Sequence, residues 1–348
     1  MTRPAINSAI TSATIAACLA LASANAVAQD SINVYSARHY QSDDALYAKF
    51  TKATGIAINR VDANDAGIIA RLKAEGAASP ADVILLVDAT RLHKAEQDGL
   101  FQSVNSSVLN ERIPAHLRAP SNKWFGFSTR ARVIVYDPKR VSASDVATYE
   151  QLAAPVNKGK VCLRTGTHPY NLSLFGSVAV HNGEASTQQW LTGLAGNLAR
   201  KPQGGDTDQI RAVASGECAI AVANSYYLAR LMRSDKPADQ AVVKAVAVVM
   251  PNQATTGTHL NVAGGAVATN APHKAGAVKF LEYLAGDAAQ AHFADGNNEW
   301  PVVTGAPMTN PALNAMTANG FKTDSASVAA IGAKQVAVQQ MLDRVGFQ

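Results

Sequence analysis

Cysteine, charge and catalytic signatures are all sparse in this chain. Only 3 of 348 residues are cysteine, and no Cys-x-x-Cys pair occurs, which removes dithiol redox chemistry and the common zinc-ribbon spacing. There is no Gly-x-Ser-x-Gly and no His-Glu-x-x-His, so an exported hydrolase lacks its usual signatures. Charged residues make up 16 % of the chain and form no Lys/Arg block, so nucleic-acid binding has no support. Beyond Gln29 no apolar run approaches the roughly 20 residues that cross a bilayer. No internal repeat is found.

The N-terminus has a clear pattern. Arg3 is the only charged residue before an apolar, small-residue stretch over Ala9–Ala28, which ends Ala26-Val27-Ala28 before Gln29. That pattern predicts a secretory signal peptide over residues 1–28, cleaved after Ala28, and an exported, periplasmic protein with no membrane span. Ile15-Ala16-Ala17-Cys18 fits a lipoprotein cleavage pattern loosely and is the weaker reading. Cleavage removes Arg3 alone among charged residues and so lowers the formal charge from +5 to +4. It leaves Cys162 and Cys218, each beside an apparent strand, as either a disulfide in an oxidising compartment or two buried thiols. The remaining chain of about 320 residues exceeds what one core usually serves and implies two domains.

Ile32 to Tyr35, Ile56 to Val61 and Asp82 to Val87 read as buried strands, separated by helical spacing at Asp43 to Ala53 and Ala66 to Glu75, the second capped by Asn64 or Asp65. This alternation predicts a parallel sheet covered on both faces, with ligands bound at the loops leaving the strand ends, of which 36–41 is the first. The pattern restarts after a strand at Val133 to Tyr136: a strand at Lys160 to Leu163, helices at Asn171 to His181 and Thr187 to Leu194, then strands at Cys218 to Ala223 and Val242 to Val249. The chain is expected to cross between domains near Phe127 to Arg132 and Met250 to Thr258. Helices follow at Lys274 to Ala285, Ala288 to Phe293 and about Ser327 to Leu342, with a surface excursion at 301–319.

The most informative residues are the adjacent Tyr226 and Tyr227, between a strand-like and a helix-like run. Neighbouring side chains diverge within a strand and within a helix, so both phenols reach one point only at such a junction. Several phenols together suit a hard, highly charged cation, and ferric iron is the leading candidate. Tyr35, Tyr47, Tyr136, Tyr149 and Tyr283 lie in apolar or amphipathic runs and read as packing residues.

Tyr35-Ser36-Ala37-Arg38-His39-Tyr40, Pro80-Ala81-Asp82-Val83, Phe127-Ser128-Thr129-Arg130-Ala131-Arg132-Val133, Asn224-Ser225-Tyr226-Tyr227 and Asn298-Glu299-Trp300-Pro301-Val302 occur in this order. Together they resemble the periplasmic ferric-iron-binding proteins of ABC transporters, in the branch that clamps bare iron with several tyrosines. The resemblance covers nearly all of the mature chain. It implies an α/β, two-lobed periplasmic-binding-protein fold of type II, each lobe a mixed, mainly parallel sheet flanked by helices, joined by a two-strand hinge. The expected division is residues 29–128 plus about 255–310 as lobe 1, 129–254 as lobe 2, and 311–348 as a C-terminal helical segment.

The resemblance further implies a monomeric receptor that takes Fe(III) in its interlobe cleft, performs no chemistry on it and delivers it to an inner-membrane ABC permease. Carried over by position, the ligands are Tyr40 from lobe 1 and Tyr170, Tyr226 and Tyr227 from lobe 2, with His39 beside them. Asp88 takes the place of a glutamate ligand used elsewhere in the family but is one methylene shorter, which puts it in doubt. His168 reads as a turn residue. Three phenolates neutralise a trivalent ion and a fourth leaves one negative charge, which Arg130 and Arg230 are placed to offset. Arg38 and Arg132 are expected nearby without a contribution. The alternative is a receptor of the same architecture for a phosphonate, sulfate or carboxylate, or iron bound with a carbonate-like anion. A plain anion receptor leaves four phenols unexplained.

Overall fold

A computed structural model of the chain describes residues 30–347 other than 39 and 319, so the expected leader, its cleavage point and Cys18 lie outside the described residues. The first part runs β1 (Ser31–Ser36), α1 (Asp43–Thr54), β2 (Ala57–Asp62), α2 (Asp65–Glu75) and β3 (Val83–Leu86). β1 pairs in parallel with both β2 and β3, as the alternation of strand and helix predicts. Local chemistry sets the ends: Asn64 caps α2 by accepting from the Gly67 N–H, and α1 stops at Gly55, whose φ of 76° suits a residue without Cβ. Next come α3 (Ala89–Gln97), β4 (Phe101–Gln102) and α4 (Ser107–Arg112).

The remaining strands are β5 (Phe125–Tyr136), β6 (Val161–Cys162), β7 (Ile220–Asn224), β8 (Ala247–Val249), β9 (Leu260–Ala268) and β10 (Trp300–Pro301). They complete a sheet in the order β2-β1-β3-β9-β5-β7-β6. β5 has buried residues throughout and is longer than the stretch legible at Val133–Tyr136. Over Phe125–Ala131 it pairs with β9, and over Arg132–Tyr136 with β7. The chain therefore passes between two half-sheets inside β5, at the position expected for a crossing, and returns through residues 250–259 into β9.

Helices cover both half-sheets: α5 (Pro169–Gly196), α6 (Asp206–Ala214), α7 (Ser225–Met232), α8 (Pro237–Ala245), α9 (Lys274–Leu284), α10 (Asp287–Asn297), α11 (Pro311–Met316), α12 (Val328–Ala333) and α13 (Gln335–Val345). Three local expectations need correction. Val242 to Val246 belong to the end of α8 and its cap rather than to a strand, because Pro237 starts a helix whose first turn carries Asp239 and whose valines pack on the neighbouring core. The segment after Pro301 is not wholly a surface excursion: Asn310 caps α11, which buries Ala312 and Leu313. The terminal helix is broken at Lys334 into α12 and α13.

Buried apolar residues gather into separate cores. One holds Leu46, Phe50, Ile84, Trp124 and Phe280 against the first half-sheet. Another holds Leu152, Phe175, Trp190, Leu191 and Leu342 against the second. A third, with Ala131, Val133, Leu228 and Leu313, lies alongside the middle of β5. α13 packs on α5, and α12 lies against both α3 and α5. Cys162 and Cys218 form a disulfide with Cα atoms 5.9 Å apart, which resolves the choice between bridge and free thiols. Parallel pairing of β6 with β7 sets the two segments side by side, with Cys162 in β6 and Cys218 in the turn just before β7. Closing a loop of sequence separation 56 contributes about 4 kcal/mol in the chain-entropy account. Among the described residues no helix is long and apolar enough to cross a membrane.

Candidate metal centre

β7 ends at Asn224 and α7 starts at Ser225, which puts Tyr226 and Tyr227 in the first helical turn, at the junction expected from the sequence. Their rings lie 4.0 Å apart between centroids at 31°. Tyr40, on the loop between β1 and α1, meets Tyr226 edge-on at 6.0 Å. Tyr170 stands in the first turn of α5, behind Pro169 and the capping His168, whose Nδ1 accepts from the Tyr170 N–H at 3.2 Å. That bond uses the lone pair of Nδ1, which leaves the proton on Nε2 of the neutral ring. Burial and the nearby Arg164 hold the His168 pKa down at about 3. Tyr170 and Tyr227 share the wall of a cavity of about 610 Å³ with Arg38, Arg60, Arg164 and His168. His39 lies outside the described residues.

Burial dominates the electrostatics of these phenols. It pushes Tyr226 and Tyr40 well above the ordinary tyrosine value, and Tyr170 upward as well. The phenols reinforce one another at Tyr226, Glu299 adds to the rise at Tyr40, and Arg130 pulls against it at all three. The hydroxyl of Tyr226 is buried and makes no hydrogen bond of ordinary length, although it lies close enough to Tyr170 to pull that phenol's pKa down against the effect of burial.

Arg130 is buried, as are Arg38 and Glu299, and the three form one network. Glu299 receives Arg38 Nη1 at 3.2 Å and Arg130 Nη1 at 3.1 Å, and Arg38 Nε also binds Asp43 at 2.7 Å. The Tyr40 hydroxyl donates to Glu299 Oε1 at 2.6 Å. Burial alone would raise the Glu299 pKa, but the two arginines, Ser128 and Tyr40 outweigh it and hold the carboxyl below its usual range. Arg130 lies 5.7 Å from the Tyr170 ring centroid and 5.9 Å from that of Tyr226. Behind Tyr170, Arg132 and Arg164 share the carboxylate of Asp206, so that among the described residues two ion-paired arginines there meet one acid. Arg230 is exposed, 5.4 Å from the Tyr227 ring, and bonds Thr207.

Asp88 does not face this group freely. Its Oδ1 caps α3 by accepting from the Thr90 N–H at 2.7 Å, and its Oδ2 accepts from Asn261 at 3.1 Å. The other tyrosines named as packing residues are in or against the cores. Sequence reading passed over the roles of Glu299 and Arg38. Their signal was weak: a lone carboxylate in Asn298-Glu299-Trp300, more than 250 residues from the tyrosine it bonds.

Two half-sheets share one long strand, and buried polar side chains gather near the point where that strand changes partners, the architecture of a two-lobed protein. The sequence pattern described as bacterial extracellular solute-binding protein matches residues 45–320, and the chain belongs to that family. It is 48 % identical over 321 residues to iron uptake protein A2 of Synechocystis, covering 91 % of this chain and 90 % of that one. The structure of the Trichodesmium protein IdiA (FutA) in complex with iron and citrate ligands is similar at a TM-score of 0.87 and 48 % identity, covering 91 % of this chain and all (100 %) of that one. The ferric binding protein of Campylobacter jejuni gives a TM-score of 0.86 and 35 % identity over 91 % of this chain and 100 % of its own. The fold is that of the type II periplasmic binding proteins.

Proposed function

We propose that this protein is a periplasmic receptor that captures ferric iron between its lobes and passes it to an ABC permease, binding the metal through Tyr40, Tyr170, Tyr226 and Tyr227. The observation that carries this reading is the cluster of phenols reaching a single region from separate elements, with Tyr226 buried among Tyr40, Tyr170 and Tyr227. The similarity to iron uptake and ferric binding proteins supports it. His39 keeps its place as a sequence-based candidate beside Tyr40. The receptor performs no chemistry on its cargo, acts as a monomer and is exported with cleavage after Ala28.

The lobes are proposed as residues 29–128 plus about 255–310, and 129–254, with 311–348 as a C-terminal helical segment. The separate cores of the two half-sheets support that division. Charge balance favours the trivalent ion. Four phenolates around Fe(III) leave one negative charge, which the Arg132–Arg164–Asp206 group, with two arginines to one acid, helps to offset. Arg130 screens the rings but is itself paired with Glu299. A carbonate-like anion bound with the iron is the second reading, supported by the citrate present with iron in the Trichodesmium protein.

The test is to titrate purified iron-free protein with a ferric salt. A visible phenolate-to-iron charge-transfer band should grow to one iron per chain. The double substitution Tyr226→Phe, Tyr227→Phe should abolish it while leaving the thermal melt of the iron-free protein near the parent's. Undiminished colour in that variant would mean the ligands are elsewhere. Repeating the titration with and without bicarbonate or citrate separates bare iron from iron bound with an anion.

A further inference from the structure

The phenols of the second half-sheet ride on two helix starts, Tyr170 in the first turn of α5 and Tyr226 with Tyr227 in the first turn of α7. The strands leading to them, β6 and β7, pair at Val161–Ile220 and Cys162–Ala221, at the end of β7 away from α7. Past β6 the chain runs as a loop to Pro169, so strand pairing does not set how far Tyr170 stands from Tyr226. Arg132 spans that gap. It sits where β5 turns from β9 to β7, opposite Asn224 in register, and is fully buried together with Asn171, Asp206 and Asn224. Its Nη2 donates to Oδ1 of Asn171, the residue after Tyr170, at 2.6 Å. Its Nη1 donates to Oδ2 of Asp206 at 2.6 Å, and the same oxygen accepts the N–H of Asn224, the N-cap of α7, at 2.7 Å. Two prongs of one planar group thus hold both helix starts.

Other contacts of Tyr170 act differently. His168 caps α5 from within the same turn, and Arg130 and Arg164 lie against the ring. Arg164 also reaches Asp206, at 3.3 Å, but it stands on the loop that Asn171 holds through the Arg164 and Thr165 carbonyls. Arg132 acts on the backbone starts themselves, from a strand. Its charge works in the same direction as its geometry: the guanidinium lies 5.9 Å from the Tyr170 ring centroid, where a cation favours the phenolate that Asp206 alone would oppose.

We propose that Arg132 is a positioning residue for iron capture, whose fork fixes the spacing between Tyr170 and the Tyr226–Tyr227 pair before the metal arrives and ties them to the strand on which the half-sheets meet. This rests on the reading of those tyrosines as ligands. An arginine serving only to neutralise Asp206 would have no use for the second prong on Asn171. Preset spacing lowers the cost of ordering the site, so the effect belongs in the affinity and in the geometry that the phenolate-to-iron band reports.

The experiment compares the parent protein with R132K, N171A, Y170F, R132K/Y170F and N171A/Y170F, using ferric citrate as the iron source. R132K keeps the positive charge beside Asp206, but one ammonium cannot reproduce the fork. It should weaken ferric binding by about 10- to 100-fold and shift the charge-transfer band. N171A removes the partner on the Tyr170 side with Asp206 still paired, and should do the same. In the Y170F background either change should cost little more, because the spacing to a missing ligand oxygen no longer matters. Parent-like affinity and band in R132K, whatever its melt, or losses that multiply in the double variants, would overturn the proposal. If Y170F itself leaves affinity and band unchanged, the reading of Tyr170 as a ligand fails, and the role of Arg132 falls with it. Thermal melts of the iron-free proteins control for folding. If R132K does not fold, N171A decides: a loss confined to chains that keep the Tyr170 oxygen supports the proposal, and an equal loss on the Y170F background overturns it.

Discussion

Asp88 illustrates at the scale of one residue how a fold reassigns a side chain. In the sequence it occupies a position where a carboxylate ligand would fall; in the structure it caps α3 and is fully buried. Burial raises its pKa to about 6 from the 3.8 of the free side chain. The native state therefore binds more protons than the unfolded state between those values, and stability falls as pH rises from about 4 to about 6. Asp88→Asn removes that dependence while keeping an acceptor for the Thr90 N–H, and Asn261, whose Oδ1 is unpartnered, can turn to receive the new amide. The melting temperature of the variant relative to the parent should climb between pH 4 and pH 7, by an amount of the order of 2 kcal/mol in stability. A gap that stays constant across that range would show that Asp88 is not the group responsible. Tyr226 and Tyr227 were readable in advance because the junction around them is local. Glu299 was not, since nothing in its neighbourhood says which distant tyrosine and arginines it will meet.

Among elements, α12 has the tightest fit. A Cβ on Gly332 would sit 2.4 Å from Cγ of His93 on α3, and one on Gly176 of α5 would sit 3.0 Å from the Ile331 carbonyl. Two glycines thus let α12 lie against helices that cover different half-sheets. Gly332→Ala should lower stability by about 1–3 kcal/mol through overpacking, and His93→Ala in the same chain should recover most of it, both read from thermal melts. Equal melting of parent and Gly332→Ala would mean that α12 shifts freely. Strand and helix alternation through residue 87 followed from hydrophobic spacing alone, with ends within a residue or two. α8 did not, because valines near a helix end look like a strand until the packing partner is known. Spacing did divide α5 at the right place: Gly183, with φ 78°, breaks the helix between the stretches Asn171 to His181 and Thr187 to Leu194.

For the whole molecule, the two proposed lobes are joined where β5 changes partners, where the chain returns into β9 and through α12, which packs on both α3 and α5, so a movement of one lobe on the other must bend the crossings and shift α12 with them. Loading with iron should reduce the radius of gyration measured by small-angle X-ray scattering. An unchanged radius at full iron occupancy would mean a site formed without lobe movement. Local composition and spacing by themselves determined the alternating fold, the leader pattern, the pair of cysteines available for a bridge and the phenols at the turn, because each of these depends on neighbours in the chain. The tertiary structure alone decided that Tyr40 meets Tyr226, that one carboxylate serves Arg38, Arg130 and Tyr40, and that α12 touches helices over both half-sheets. Those contacts join residues tens to hundreds of positions apart, and only the packing of the sheet and its helices brings them together.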